Sequence, residues 1–457
     1  MTDKLKSADM MPGSFGLPFI GQTIGILAQQ ELFYWQQYQQ YGNIFKISLP
    51  KAIGFGKCAC LIGPEANQLV LKDAADKLSS RLGNRSLEPI VSKDLVLLQD
   101  GAEHRASRKL IMPMFHHQAI ASYFDTIQAV VNETVANWGK LGTINLETEM
   151  RKLTLAIAIR TFLGSNKTED IDRVSQWYVT LLNSLNGMVK WDSPLTFYGR
   201  GQAARRKIAD YIRQIIKDRI ELGDLEKSKD VIGFLMSIVD EDGNKFTETQ
   251  IINQAIGFLF AAHETTSSLM SWLMFELGNR PEWRQKLRAE LQQVAGNEPL
   301  KLQQLRQLPQ LSNVLKEGER LYPPVHAIAR AAIEDIEYAG YTIPAGWYAI
   351  IFPSMTHQMP EIYKDPESFD PDRFAPPREE DKKYPYSLIG FGGGAHSCIG
   401  VEFANMEMKI ILSTLLQNYD WTVAPTIAEI SPVRKPFSMQ KKLTATFIKI
   451  PSWEGCP

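Results

Sequence analysis

Phe391-Gly392-Gly393-Gly394-Ala395-His396-Ser397-Cys398-Ile399-Gly400 is a glycine-rich run that closes on a cysteine. It leads straight into Val401-Glu402-Phe403-Ala404-Asn405-Met406-Glu407-Met408-Lys409, whose apolar spacing predicts a helix. Three consecutive glycines permit backbone angles and close approaches that side chains would block. They set Cys398 at a helix N-terminus, where unpaired N–H groups and the helix dipole favour a thiolate. Gly400 leaves room beside the sulfur for a flat, bulky group. The same residues also allow a plain buried cysteine beside a turn.

Upstream lies a pattern predicting a helix from about Glu248 to Asn279, roughly 45–50 Å long at 1.5 Å per residue. Thr247 and Gln250 form a capping box at its start. Ile251, Ile252, Ala255, Ile256, Phe258, Leu259 and Phe260 make it apolar nearly all round, hence buried. Its middle reads Ala261-Ala262-His263-Glu264-Thr265-Thr266. An acid and a hydroxyl inside an apolar helix are costly without a purpose. Thr265 can bond back to a carbonyl one turn earlier and open the ladder locally. Closer to the cysteine, Leu315 to Pro324 puts Glu317 and Arg320 on one helix face, and Pro371-Asp372-Arg373-Phe374 follows.

The remaining chain predicts a mainly α fold with a small β-sheet region. A Pro/Gly lead-in, Pro12 to Gly21, precedes a helix from about Glu31 to Tyr41. Short strands are expected at Ile44 to Leu49, Cys58 to Ile62, Tyr341 to Ile343 and Tyr348 to Phe352. Helical periodicity covers Tyr123 to Trp138, Leu146 to Leu163, Ile171 to Met188 and about Gln202 to Leu222. Leu78 to Leu98 reads as an irregular apolar loop, the kind that is usually functional. We expect one domain over 1–457, with β-rich parts at about 40–65 and 330–355.

Fifty basic and 51 acidic residues leave a net charge of −1, so there is no nucleic-acid footprint. The cysteines are Cys58, Cys60, Cys398 and Cys456, too few for a disulfide framework and suggestive of a reducing compartment. Cys58 and Cys60 fall in a strand and read as core. The N-terminus is polar, and no window of about 18 apolar residues occurs, so no transmembrane anchor and a cytoplasmic location are expected.

Phe-x-x-Gly-x-x-x-Cys-x-Gly, the Ala-x-Glu-Thr-Thr segment, Glu-x-x-Arg and Pro-x-Arg-Phe stand in the order of the cytochrome P-450 family, which the chain resembles from about Pro12 to Phe447. The resemblance implies one heme b (iron protoporphyrin IX), buried between the long central helix and the cysteine loop, with Cys398 as iron ligand. It gives Phe391 and Gly400 places against the heme, and His104, Arg108, Arg330 and His396 places at its propionates. Two of these depart from the usual pattern: His104 stands where Trp is common and His396 where Arg is common. Ala262 replaces a usual Gly. Glu264 and Thr265 match the residues that relay protons and hold O2, while Glu317, Arg320 and Arg373 match a structural triad.

The activity so implied is hydroxylation of an apolar C–H bond with O2 and electrons from a separate carrier, a ferredoxin with its reductase or similar. Arg105 and Lys109 are candidates to meet an acidic carrier. Leu97, Trp177, Leu181, Phe258, Ala261, Val325, His326 and Ala327 are the candidate substrate lining. Gly-x-x-His-x-x-x-Arg with Ala-His-Glu-Thr and Phe-Gly-Gly-Gly is similar to the retinoid-hydroxylase branch. A retinoid or isoprenoid acid is therefore the favoured substrate and a fatty acid the second, with Arg81 or Arg85 to pair its carboxylate. A heme-thiolate peroxygenase or isomerase, or a heme-binding sensor, are the rival readings.

Overall fold

The computed structural model describes residues 6–29, 31–51, 54–165, 167–186, 190–223, 229–240, 243–426 and 443–450. Cys456 and Met1 to Leu5, used in the sequence reading, lie outside them. In chain order, α1 (Thr23–Gln29) and α2 (Glu31–Tyr41) precede β1 (Ile44–Ser48) and β2 (Lys57–Leu61). Then come α3 (Pro64–Gln68), β3 (Leu78–Ser79), α4 (Ser80–Gly83), α5 (Glu88–Val91) and α6 (Gly101–Ile111). A helical block follows: α7 (His117–Leu141), β4 (Thr143–Asn145), α8 (Leu146–Ala158), α9 (Thr168–Asn183), α10 (Phe197–Leu222) and α11 (Val231–Ser237). The long helix is α12 (Glu248–Gly278), trailed by α13 (Pro281–Ala295) and α14 (Pro309–Leu321). The last third holds β5 (Ile328–Ala332), β6 (Ile336–Tyr338), β7 (Tyr341–Ile343), β8 (Tyr348–Ile351) and α15 (Pro353–Thr356). It ends with α16 (Val401–Asn418), β9 (Tyr419–Ala424) and β10 (Thr444–Lys449).

The expected mainly α fold with a small sheet region is what forms. β1, β2, β8, β5 and β3 make the principal sheet, with β2 and β8 parallel at its centre, Cys58 facing Tyr348. Two smaller sheets are β4-β10-β9 and β6-β7. Side chains alternate across a strand, and here the alternation assigns residues to two cores. Ala59, Leu61, Ala349 and Ile351 enter one cluster, while Cys58, Cys60, Tyr348 and Ile350 enter the other. Both faces are covered, which is why these strands read as unbroken apolar runs. Cys58 and Cys60 are buried and free, as expected of core residues.

Around α12 gathers the largest core, drawn from α7, α8, α9, α10, α14 and α16. Thr247 caps α12, accepting from the Gln250 amide while Gln250 Oε1 accepts the Thr247 N–H. At 31 residues it is about 46 Å long. Three sequence expectations need correction. The stretch from Leu78 to Leu98 is not an open loop: Ser79 caps α4, and Asp100 accepts from Ser79 Oγ (2.5 Å) and the Ser80 amide (2.7 Å). α10 begins at Phe197, earlier than the periodicity suggested, because Thr196 caps it. α9 ends at Asn183. β5 carries small Ala residues and falls partly inside the β-rich stretch expected at about 330–355.

A polar clasp joins the segment after α5 to the long helices. Asn253 of α12 donates to Asp94 Oδ2 (2.6 Å) and receives Arg205 of α10 at Oδ1 (2.5 Å). Gln254 and Gln99 both donate to the Asp94 carbonyl, at 2.8 and 3.1 Å.

Candidate active site

The cysteine loop is held from behind by buried groups. His357 accepts the Ile389 amide at Nε2 (2.9 Å), and the Glu319 carboxylate accepts the amides of Gly390 and Phe391. Phe391 in turn accepts the Cys398 amide (2.8 Å). Gly394 sits at φ +62, where a Cβ would fall 1.9 Å from the carbonyl oxygen of Leu71, so only glycine fits. Arg108 reaches across from α6 to the Ser397 carbonyl (2.8 Å) and Oγ (3.1 Å).

Cys398 is enclosed by protein yet presents accessible surface, so it lines an internal opening. A Cβ built on Gly400 meets nothing within 4 Å. Burial opposes the thiolate that the helix N-terminus favours. It pushes the thiol above the ordinary cysteine value, and the Gly400 amide and Arg108 offset this incompletely. Coordination to a cation is what such a site needs to hold a thiolate.

Across the fold, Thr265 Oγ1 donates to the Ala261 carbonyl at 2.7 Å, the expected back-bond, while α12 stays helical throughout. Ala261 is exposed in mid-helix although residues 251–259 and 269–277 are buried, which marks a second wall of an opening. Glu264 turns toward α8. Its Oε1 lies 3.2 Å from Arg151 Nη1 and 3.1 Å from His263 Nε2. Burial works to raise the Glu264 carboxyl, but His263 and Arg151 outweigh it and hold it below the usual range. His263 is fixed by Thr154 Oγ1 at 2.9 Å and by the Tyr178 ring, edge-on at 5.5 Å. Sequence reasoning quoted His263 and missed its role; Arg151, on a different helix, had no local signal.

At the rim, His104 and His396 stack with ring centroids 3.8 Å apart. Burial pushes His396 down to about 3, helped by His104 and Arg330. Burial also lowers His104, and pulls buried Arg330 down to about 10, Asp100 opposing. Arg330 donates to the Ala329 carbonyl at 3.0 Å. The acid nearby, Asp100, is already committed to Ser79 and Ser80. Two arginines and two imidazoles short of anionic partners suit carboxylates supplied by a bound group. Thiol, open space over Gly400 and cationic rim together fit a heme with its propionates.

The triad residues converge in a fully buried cluster. Arg320 binds Glu317 through two bonds of 2.8 Å, and Arg373 Nε lies 3.1 Å from Glu317 Oε2. Arg373 also reaches Glu380 at 2.8 Å. The candidate lining residues divide. Ala261 and Val325 are exposed, and Leu97, Trp177 and Ala327 are partly buried. Leu181 and Phe258 are core residues, Phe258 packing on Phe115 and Phe162. Burial pushes His326 down to about 4. Arg81 and Arg85 are exposed.

The sequence profile described as Cytochrome P450 matches residues 11–446. The chain belongs to the cytochrome P-450 family. It is a heme-thiolate oxidoreductase of that family. Cytochrome P-450 120 of Synechocystis is 31% identical over 424 residues, covering 92% of this chain and 93% of the relative. Abscisic acid 8'-hydroxylase 2 of Arabidopsis thaliana is 30% identical over 419 residues, covering 90% and 84%. The solved structure of retinoic acid bound cyanobacterial CYP120A1 superposes with a TM-score of 0.85 at 28% identity, covering 96% of this chain and 99% of that one. Among the described residues, no helix is long and apolar enough to cross a membrane. Nor is there, among the described residues, a group of three or more His, Cys, Asp or Glu that could hold a metal ion.

Proposed function

We propose that this P-450 hydroxylates an apolar C–H bond of a retinoid or isoprenoid acid, a fatty acid being the second choice. The observation that carries the reading is the pairing of Glu264 and Thr265 on α12 beside the exposed Ala261, with the accessible Cys398 sulfur on the cysteine loop. Heme b bound at Cys398 supplies oxygen activation, the thiolate pushing electron density that favours O–O cleavage. The chain supplies the rest. Phe391 and Gly400 would border the heme, and His104, Arg108, Arg330 and His396 would hold its propionates. Thr265 presents a hydroxyl hydrogen-bonded to the Ala261 carbonyl, able to hold O2 or a water there. Glu264, ionised between His263 and Arg151, collects protons from the exposed side of α8 and passes them inward. Apolar lining keeps bulk water out and orients a lipophilic substrate.

Relatives support the substrate class: one solved structure has retinoic acid bound, and another relative is named for abscisic acid. Electrons come from a ferredoxin and its reductase or a similar carrier, with Arg105 and Lys109 exposed on α6 to meet it. We read 1–457 as one oxygenase domain in the cytoplasm, where Cys58 and Cys60 stay free. The test is the reduced carbon-monoxide difference spectrum, followed by Soret titration with retinoic acid and a fatty acid. A thiolate-type band and tight retinoid binding are expected. A nitrogen-type spectrum overturns the reading. Thr265→Ala then separates a monooxygenase from a peroxygenase or isomerase: reductant use should continue while product falls.

A further inference from the structure

Glu319 lies two residues from Glu317 on α14, and the two acids live in opposite surroundings. Glu317 is met by both Arg320 and Arg373. Glu319 is buried too, but its carboxylate meets the amides of Gly390 and Phe391, at the root of the cysteine loop. The approach is close: a Cβ on Gly390 would lie 2.3 Å from Glu319 Cγ and 2.8 Å from Oε1. The cation whose charge acts on it, Lys316 of the same helix, is engaged by Asp381 at 2.7 Å, and Arg320 is taken by Glu317. Amide dipoles are thus the main compensation for this buried charge.

We infer that Glu319 is a positioning residue for the cysteine loop that takes up a proton when the iron held by Cys398 gains an electron. The inference rests on the heme-thiolate reading. Its carboxylate orders Gly390 and Phe391, and Phe391 holds the Cys398 amide at 2.8 Å. The same carboxylate disfavours negative charge on the Cys398 sulfur. An electron entering from a one-electron donor adds negative charge on that side of the loop. A proton from solvent moving onto Glu319 balances it, and no other bond is made or broken.

Burial pushes Glu319 up to about 7, against the Gly390 and Phe391 amides and Lys316, while Asp381 adds to the rise. The other groups around it are fixed near neutrality. His357 is held neutral by burial, down to about 3, and burial raises the Tyr363 hydroxyl. Asp381 is paired with Lys316, and Arg108 lies by the sulfur.

The experiment is the midpoint potential of the heme-loaded protein between about pH 5.5 and 8.5, for wild type and Glu319→Gln. Glutamine keeps an acceptor for the loop amides and removes the ionisation. Wild type should fall with rising pH, approaching tenfold in the reduction equilibrium per pH unit, or about 59 mV for one electron. E319Q should lose that slope and keep the low-pH potential of wild type. A flat wild-type profile, or an equal slope in E319Q, overturns the inference. Should E319Q fail to load heme, Lys316→Gln serves: its inflection should move to higher pH, and an unmoved inflection is equally fatal. The carbon-monoxide spectrum of wild type separates the two failures. A missing thiolate band sinks the heme-thiolate reading, whereas a normal band with an unaltered slope sinks only the role of Glu319.

Discussion

Arg373 and Glu317 meet at 3.1 Å with neither side chain exposing any surface. Arg320 closes the same carboxylate from the other side, so Glu317 compensates two guanidinium groups at once. Glu317→Ala should therefore cost about 3–5 kcal/mol, because it leaves buried Arg320 without a carboxylate while Arg373 keeps only Glu380. Denaturant unfolding of the heme-free protein checks this, and a loss below about 1 kcal/mol would contradict it.

Asp94 ties the segment after α5 to α12, and through Asn253 to Arg205 on α10. Asp94→Ala should remove contacts worth about 1.5–3 kcal/mol locally, a bond to a charged group being at stake. Amide hydrogen exchange over residues 88–98 should rise by about tenfold or more, with global stability little changed. Exchange confined to wild-type rates would show that the clasp does not hold this segment.

Protonation of His357 competes with folding. Its folded value is about 3, below its ordinary value, because burial and Arg320 disfavour the imidazolium. The unfolded chain thus binds more protons below about pH 6.5. Stability from this group is complete above that pH and drains away as pH falls toward 3, by up to about 1.4 kcal/mol per unit. His357→Gln should flatten the acid limb of a stability–pH curve, at the expense of stability near neutrality.

Glu264→Gln should lower turnover by about 100-fold, the size expected for loss of a positioned proton donor. Arg151→Gln acts more gently. With Arg151 gone, less pulls the Glu264 carboxyl down, so the acid limb of turnover should shift to higher pH. Product formed per reductant consumed, measured across pH, checks both. An Arg151 variant with an unmoved profile would remove Arg151 from the proton route.

Much of this was legible in the residues themselves. Cys398, the Glu264-Thr265 step and the Glu317-Arg320 pair lie in short local patterns, and the Thr247 cap was written in two side chains. What stayed hidden depends on packing between distant segments. Arg151 becomes meaningful because α8 lies against α12, and Glu319 because α14 meets the root of the cysteine loop. Burial of the Cys398 sulfur, which works against the charge that a helix terminus favours, depends on the same distant packing. Short helices between Leu78 and Leu98 were unreadable because Ser79 and Asp100 stabilise them across a turn rather than by periodicity.

Gly394 rests on the Leu71 carbonyl, a partner from the opposite end of the chain. The height of the sulfur is therefore not a property of the loop alone, and a growing polypeptide cannot own a finished iron seat until its first and last portions have met. Such remote contacts form slowly. Porphyrin capture belongs after assembly of the tertiary structure, and cells making this protein faster than they make heme should accumulate folded chains awaiting it.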